Sequence, residues 1–362
     1  MEIIAYASAV YLAVRLMVAM VNLLSRQTLP HGTPGNTHPV SILIPARNEE
    51  KNIGNLLDDL YQIDYNPIEI LVYDDDSIDQ TAAIIRDKGL KDHRIRYFKG
   101  DGPVQGWLGK NFACDQLARL ATGEYLLFLD ADVRISPAVI KDSLGYMERH
   151  HLKLLSIFPV QEMRSPGEWF TVPLMNRILA GNLPLILVKE SRMVDFAAAN
   201  GQFMMFRSET YRKHWFHEQF RNERVEDIMI VRMMKKLQYR VHVLLSGGQV
   251  SCRMYHNYRD GIEGFSKNIH AFFGKNWLIL FLYNLLSTFG LISVWIAFST
   301  RAMLFYLSAL VIFSIVISVQ SRQPVLKNIV LMPVQQFSVF LVSIIAVYRQ
   351  VTGNFSWKGR KI

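Results

Sequence analysis

The sequence predicts an α/β fold built on a parallel sheet, with membrane helices at both ends of the chain. Three observations carry that expectation. Strand-like and helix-like stretches alternate from Ser41 onward, which is the pattern of a parallel sheet covered by helices. The run Tyr125-Leu126-Leu127-Phe128-Leu129 is apolar throughout, as a strand buried on both faces must be, and it runs into Asp130-Ala131-Asp132. Long apolar stretches occupy residues 3–24 and the region after Trp277. In an open α/β sheet ligands collect at the carboxyl ends of the strands. Two carboxylates there suit a hard divalent cation that keeps waters and bridges to substrate phosphates. A surface turn with two solvated acids is the alternative.

Taken in order, Ile3–Leu24 would span about 33 Å as a helix, enough to cross a bilayer. It lacks the basic start and small-residue cleavage site of a signal peptide, so it reads as an anchor over 1–25, with an interfacial helix as the alternative because Arg15 within it needs a partner or must snorkel. Residues 26–39, with three prolines and two glycines, read as a linker. Ser41–Pro45 is the first strand, and Ile53, Leu56, Leu57 and Leu60 follow at helical spacing. Glu69–Tyr73 is the second strand and ends in Asp74-Asp75-Asp76-Ser77-Ile78-Asp79, with a helix from near Thr81. Arg94–Phe98 is a third strand, Asn111–Ala121 a helix, and the strand carrying Asp130 and Asp132 comes next. Three strands thus end in acidic clusters on one edge of the sheet. Trp169–Val188 is apolar but interrupted by Pro173, Asn176, Arg177, Asn182 and Pro184, and reads as a lipid-facing or acceptor-lining segment, with a buried core helix as the alternative. Phe203–Phe206 is a strand, a helix starts near Val225-Glu226-Asp227, and Arg240–Leu245 and Val250–Tyr255 suggest a hairpin around Gly247-Gly248. Trp277–Phe298, Ala302–Val319 and Val325–Tyr348 are long enough to be membrane segments; Lys327, Pro333, Gln335 and Gln336 make the third the weakest.

Composition narrows the function. Of 362 residues, 50% are apolar and 20% charged, and the formal net charge is +9. No dense Lys/Arg stripe or nucleic-acid module is present, so nucleic acid is not the expected partner; anionic lipid headgroups and a nucleoside diphosphate fit the charge better. Cys114 and Cys252 are far apart with no CxxC spacing, which indicates neither a zinc site nor a disulfide framework. The glycines from Gly100 to Gly106 have the wrong spacing for a dinucleotide fingerprint, and Gly109-Lys110 lacks the upstream glycine and the Ser/Thr of a P-loop. Hydride transfer and ATP hydrolysis are therefore disfavoured.

Six pieces of the chain, in order, resemble membrane-anchored family 2 glycosyltransferases of the GT-A fold, a Rossmann-like nucleotide-diphospho-sugar transferase fold, and most of all the carotenoid (diaponeurosporenoate) glycosyltransferases. They are Ile44-Pro45-Ala46-Arg47-Asn48-Glu49-Glu50, Asp74–Asp79, Gly106-Trp107-Leu108-Gly109-Lys110, Asp130-Ala131-Asp132, Glu226-Asp227 and Trp357-Lys358-Gly359-Arg360. The resemblance implies a GT-A domain over 40–275, C-terminal membrane segments over 276–350 and a basic cytoplasmic tail over 351–362. It also implies a nucleotide-sugar donor, usually a UDP-sugar, together with Mg²⁺ or Mn²⁺. Pro45, Glu49 and Asp75 would hold the uridine, Ala46, Asp74, Lys110 and Asp130 would also lie by the donor, and Asp132 with Asp130 would hold the metal. A metal there neutralises the charge that develops as the diphosphate leaves, and Lys110 would add a point charge on the same side, a merely solvated lysine being the alternative.

Asp227, with Glu226 beside it, would be the catalytic base, standing at a helix start where the macrodipole favours the ionised form. Ordinary helix capping is the alternative for this pair. The chain departs from the family pattern at Asp76, where a glycine is usual, and at Ile78, where a threonine is usual. The Gln-x-x-Arg-Trp motif of processive synthases is missing: Gln249 is followed by Val250-Ser251-Cys252-Arg253-Met254. Transfer of a single sugar to a hydroxyl or carboxyl of a membrane lipid is the expected activity; a glycan-chain synthase and a non-catalytic membrane scaffold are the competing readings. The expected location is the cytoplasmic membrane with the catalytic domain facing the cytoplasm. Positive charge at Arg349, Lys358, Arg360 and Lys361 would hold the tail on the same side, which requires one C-terminal segment, first of all Val325–Tyr348 or else an interfacial Trp277–Phe298, not to cross.

Overall fold

The structure, a computed structural model, describes residues 1–352 and the backbone of 356–357 and 360–361. The chain begins with helix α1 (Glu2–Leu24). Strands and helices then alternate as β1 (Val40–Ala46), α2 (Ile53–Tyr61), β2 (Ile68–Asp75), α3 (Thr81–Lys91), β3 (Ile95–Gly100), α4 (Gly109–Leu120) and β4 (Tyr125–Leu129). Next come β5 (Val133–Ile135), α5 (Val139–Arg149), β6 (Leu154–Phe158) and β7 (Val160–Gln161), followed by the helices α6 (Pro166–Thr171), α7 (Pro173–Asn182) and α8 (Leu185–Glu190). The chain continues through β8 (Phe203–Arg207), α9 (Ser208–His214), α10 (Phe216–Gln219), α11 (Glu226–Lys236), β9 (Val241–Leu245) and β10 (Val250–Cys252). Helices α12 (Tyr258–Phe272), α13 (Trp277–Ala297), α14 (Thr300–Gln320), α15 (Val325–Val330) and α16 (Met332–Thr352) complete the helical part. Ser356–Trp357 and Arg360–Lys361 pair antiparallel, while Lys358 and Gly359 of the tail motif lie outside the described residues.

Two compact units result. One comprises residues 27–160 and 187–252; the other comprises 1–26, 161–186 and 253–362 and is almost wholly helical. Residues 161–186 and 253–275, which the sequence analysis places in the catalytic domain, belong to the helical unit.

The first unit is organised by a seven-stranded sheet of order β3-β2-β1-β4-β8-β6-β9. β3, β2, β1 and β4 run parallel, with Ala46 level with Asp74 and Asp75 level with Gly100, so the loops after them share one edge. The strands are apolar on both faces because helices cover both: Ile42 and Ile44 face the cluster that includes α2, and Leu43, equally buried, faces the other way. Each such side chain contributes about 1.5–3 kcal/mol relative to exposure. α2 follows the same logic, since Ile53, Leu56, Leu57 and Leu60 form a single buried stripe.

The sheet is mixed rather than parallel. β8 runs antiparallel to both neighbours, β4 and β6. The expected hairpin is also absent: β9 pairs with β6 in the main sheet, whereas β10 pairs with β5 in a second small sheet. Ser246 causes the parting. Its hydroxyl accepts N–H bonds from Gly248 and Val250, and Gly248 takes φ 109°, so the chain turns out of the sheet.

In the helical unit, α1, α13, α14 and α16 are each long and apolar enough to cross a membrane. The stretch expected as Val325–Tyr348 is broken at Leu331, which leaves Lys327 on α15 and frees the 21 residues of α16 from it. Trp169–Val188 is not one lipid-facing helix. Pro173 and Pro184 separate α6, α7 and α8, and most of α7 is buried, which agrees with the core alternative.

Candidate active site

Every residue singled out as a site candidate lies in the sheet unit, and the topology explains why they meet. β1, β2 and β4 deliver Pro45, Ala46, Asp74, Asp75 and, one residue past its end, Asp130 to the common carboxyl edge. The first two loops are bonded together there. Asn48 donates its N–H to the Ser77 hydroxyl, its side-chain oxygen accepts from the Ile78 N–H, and the Glu49 N–H donates to Thr81. Asp76 and Asn48 adopt positive φ, 56° and 50°, which Asp and Asn tolerate better than most residues, so the missing glycine at 76 is accommodated. Arg47 donates to the carbonyls of Asp75 and Asp76 and so fixes the second loop. Asp74 accepts from the Ser77 N–H at 3.0 Å and from the Tyr97 hydroxyl at 3.0 Å, while Asp75 is buried beside it.

The centre of the edge is a charge cluster. Lys110, in the first turn of α4, places Nζ 2.7 Å from Asp130 Oδ2 and 3.9 Å from Glu226 Oε1. Burial alone would lower the Lys110 pKa, but the Asp130 and Glu226 carboxylates hold the ammonium well above the usual lysine range. Asp227 is fixed at both oxygens: Oδ2 accepts the Gly201 N–H at 3.0 Å and Oδ1 the Ile228 N–H at 2.8 Å. Asp227 is half-buried and Glu226 buried. The helix start does not leave these two acids at ordinary acidity. Burial raises both, outweighing the lowering by Lys110 and, for Asp227, by its backbone hydrogen bonds, and Glu226 is pushed up to about 8.

A fourth strand, β8, completes the site with the residues before its start, and sequence reasoning missed it. Because β8 is antiparallel, Phe203 lies opposite Leu129 and the residues before it, Asn200-Gly201-Gln202, arrive at the same edge as Asp130. Asn200 fixes this turn by accepting the Gln202 N–H at 2.8 Å, and Gln202 donates to Asp132 Oδ1 at 3.3 Å and to Cys252 Sγ at 2.8 Å. Gly201 has no room to spare: a Cβ there would stand 3.2 Å from Lys110 Nζ and 3.5 Å from Glu226 Oε1. The available signal was the polar Asn-Gly-Gln between two apolar runs, but a parallel β8 would have put Arg207, not Gln202, at the edge.

As a donor set for a divalent cation, the edge offers hard carboxylate oxygens. Asp130 is engaged by Lys110, so Asp132, oriented by the Gln202 amide, is the better-placed ligand. Among the described residues no group of three or more His, Cys, Asp or Glu side chains is arranged to hold a metal. Both cysteines are free and buried, His242 is buried against the Tyr146 hydroxyl, and His270 stacks on Trp277.

A mixed sheet with parallel β-α units on one side, an antiparallel β8 returning to the same edge, and acidic strand ends is the GT-A type of nucleotide-sugar transferase fold. Residues 41–220 match the family model described as Glycosyl transferase family 2, so the chain carries a domain of that kind. Glu226 and Asp227 lie just beyond the matched stretch. The chain is 28% identical over 236 residues to a 4,4'-diaponeurosporenoate glycosyltransferase of Staphylococcus haemolyticus, covering 64% of this chain and 61% of that protein. It is 39% identical over 98 residues to the protein of the same description from Staphylococcus aureus strain MRSA252, covering 27% and 25% of the two chains. It thus spans less than two thirds of these relatives. Its fold is similar to that of the mannosyltransferase PcManGT from Pyrobaculum calidifontis, solved in complex with GDP-Man and Mn²⁺, with TM-score 0.65 and 15% identity over 96% of this chain and 99% of that one.

Proposed function

We propose that the chain is a membrane-anchored inverting glycosyltransferase that moves one sugar from a nucleoside-diphosphate sugar to the hydroxyl or carboxyl of a membrane lipid. The observation that carries this reading is the cluster of Lys110, Asp130, Glu226 and Asp227 at the sheet edge next to Asp132. The helices of membrane-spanning length, and the names of the relatives, point to the lipid acceptor.

Pro45, Ala46, Glu49, Asp74 and Asp75 form the nucleoside side of the edge. Lys110 directs its ammonium toward the diphosphate and keeps Asp130 oriented. Asp132 is the residue to hold Mg²⁺ or Mn²⁺, which when bound neutralises charge on the departing diphosphate. Asp227, its oxygens aimed by Gly201 and Ile228, takes the proton of a hydroxyl acceptor as that oxygen attacks the anomeric carbon. Glu226 sits deeper, against Lys110, and sets the charge balance around it. A carboxylate acceptor arrives already ionised and needs no base. The catalytic unit is placed on the cytoplasmic side, where nucleotide sugars are made. Membranes carrying the chain, incubated with a panel of nucleotide sugars, should yield lipid extracts with one added sugar mass. Ladders of repeated sugar masses would favour a chain synthase, and no transfer from any donor would favour a scaffold.

A further inference from the structure

The helical unit contains two buried arginines that the transfer reaction does not use. Arg15 lies in the middle of α1 and is 4% exposed; Arg177 on α7 is 6% exposed. They share one aromatic ring: their guanidinium carbons lie 4.5 Å and 5.7 Å from the centre of Phe313, in the middle of α14. Arg15 also lies over Tyr11 and Tyr283, donates to the Arg177 carbonyl at 2.9 Å and approaches the Ser287 hydroxyl at 3.5 Å, while its Nε has no hydrogen-bond partner among the described residues. Arg177 donates to the Gln335 side chain at 3.3 Å, and Gln335 is itself held by the Trp169 carbonyl and Asn328. Gly181 permits this closeness, since a Cβ there would meet the Phe313 ring at 2.7 Å and Arg15 Nη2 at 3.1 Å.

No carboxylate serves this pair. Neither guanidinium forms an ion pair among the described residues. The five acids of the unit are placed elsewhere: Glu168 is bound by Arg253, Glu162 by Arg164, Glu263 by Arg259 and Asp260 by Asn257, and Glu2 is in the first turn of α1. Neutral partners and ring faces offset only part of the cost of two like charges at low dielectric, and arginine does not escape it by losing its proton. Helices α1 and α14 are long and apolar enough to span a membrane, so the pair belongs at the depth of lipid chains.

We infer that Arg15 and Arg177 together bind the oxyanion, carboxylate or phosphate, of a membrane amphiphile. Planar guanidiniums suit either group, and two of them around one aromatic ring make a receptor for a single oxyanion. The inference stands independently of the transfer reaction.

The test uses the full chain purified in a neutral detergent, with thermal unfolding followed by tryptophan fluorescence. Oleate is compared with methyl oleate, phosphatidylglycerol with phosphatidylcholine, and inorganic phosphate is added alone. An acidic amphiphile should raise the midpoint saturably, on the order of 5 °C at a hundredfold excess over Kd, and its neutral counterpart should not. Which acidic amphiphile acts identifies the source as a carboxylate lipid or a phospholipid. The response should vanish in Arg177→Gln, persist in part in Arg177→Lys and be unchanged in the exposed control Arg301→Gln. If Arg177→Gln does not fold, Arg177→Lys and the acid-versus-ester comparison on the unaltered chain decide. Equal responses to acidic and neutral lipids, an undiminished response in Arg177→Gln, or a full response to inorganic phosphate alone would each overturn the inference.

Discussion

The two units bury cations in opposite ways. In the sheet unit Lys110 stands between Asp130 and Glu226, so its charge is matched within the protein. In the helical unit Arg15 and Arg177 have ring faces, a carbonyl and an amide, and no carboxylate among the described residues. Composition carries the same contrast. The helical unit's residues hold 15 Lys and Arg against 5 Asp and Glu, leaving 25 against 26 for the sheet unit, so the chain's net +9 comes wholly from the helical one. The basic character of the chain is therefore a property of its membrane part. The site that would receive a doubly charged diphosphate relies on placed charges, Lys110 above all, rather than on a basic surface.

Substitutions at the sheet edge should have the largest effects. Asp227→Asn should lower kcat by about 10²–10⁴-fold for a hydroxyl acceptor, because an amide cannot take the proton, while nucleotide binding by calorimetry stays intact. Glu226→Gln should cost less; the reverse order would move the base to Glu226, and near-normal transfer by both would reduce the pair to a helix cap. Gln202→Ala should weaken the apparent affinity for Mg²⁺ or Mn²⁺ by about 10–100-fold, with kcat recovering at saturating metal, since it removes only the group that orients Asp132. Activity that survives EDTA unchanged would contradict the metal assignment itself.

The raised pKa values of Glu226 and Asp227 give a signed pH dependence. A base works only when ionised, and one whose pKa is raised loses its ionised form as the pH falls below that value. Transfer to a hydroxyl should therefore fall about tenfold per pH unit on the acid side, whereas transfer to a carboxylate, which needs no base, should change little over the same range.

Stability separates the units most finely. Lys110→Met leaves two carboxylates facing each other and should cost about 1–3 kcal/mol in a denaturant titration. Arg177→Gln in lipid-free detergent relieves a like-charge contact and should cost nothing. Equal losses would erase the distinction between a matched and an unmatched cation.

The sequence made some of this readable and hid the rest for physical reasons. β1, β2 and β4 announce themselves because strands covered on both faces must be apolar throughout, and their acidic ends follow directly. Strand direction has no such signature: Phe203–Phe206 looks the same parallel or antiparallel, so nothing in the sequence marks Gly201 and Gln202 as edge residues or sends Val250–Cys252 to β5. Arg15 was conspicuous as a charge in an apolar helix, but its companion Arg177 is 162 residues away and became one only through packing.

The central claim is a single displacement at the Asp130–Asp227 edge, and the anomeric configuration of the lipid product tests it most directly. Proton NMR of the purified glycolipid, made from a nucleotide sugar of known anomeric form, should show the configuration opposite to the donor's. A product that retains the donor's configuration would contradict the account.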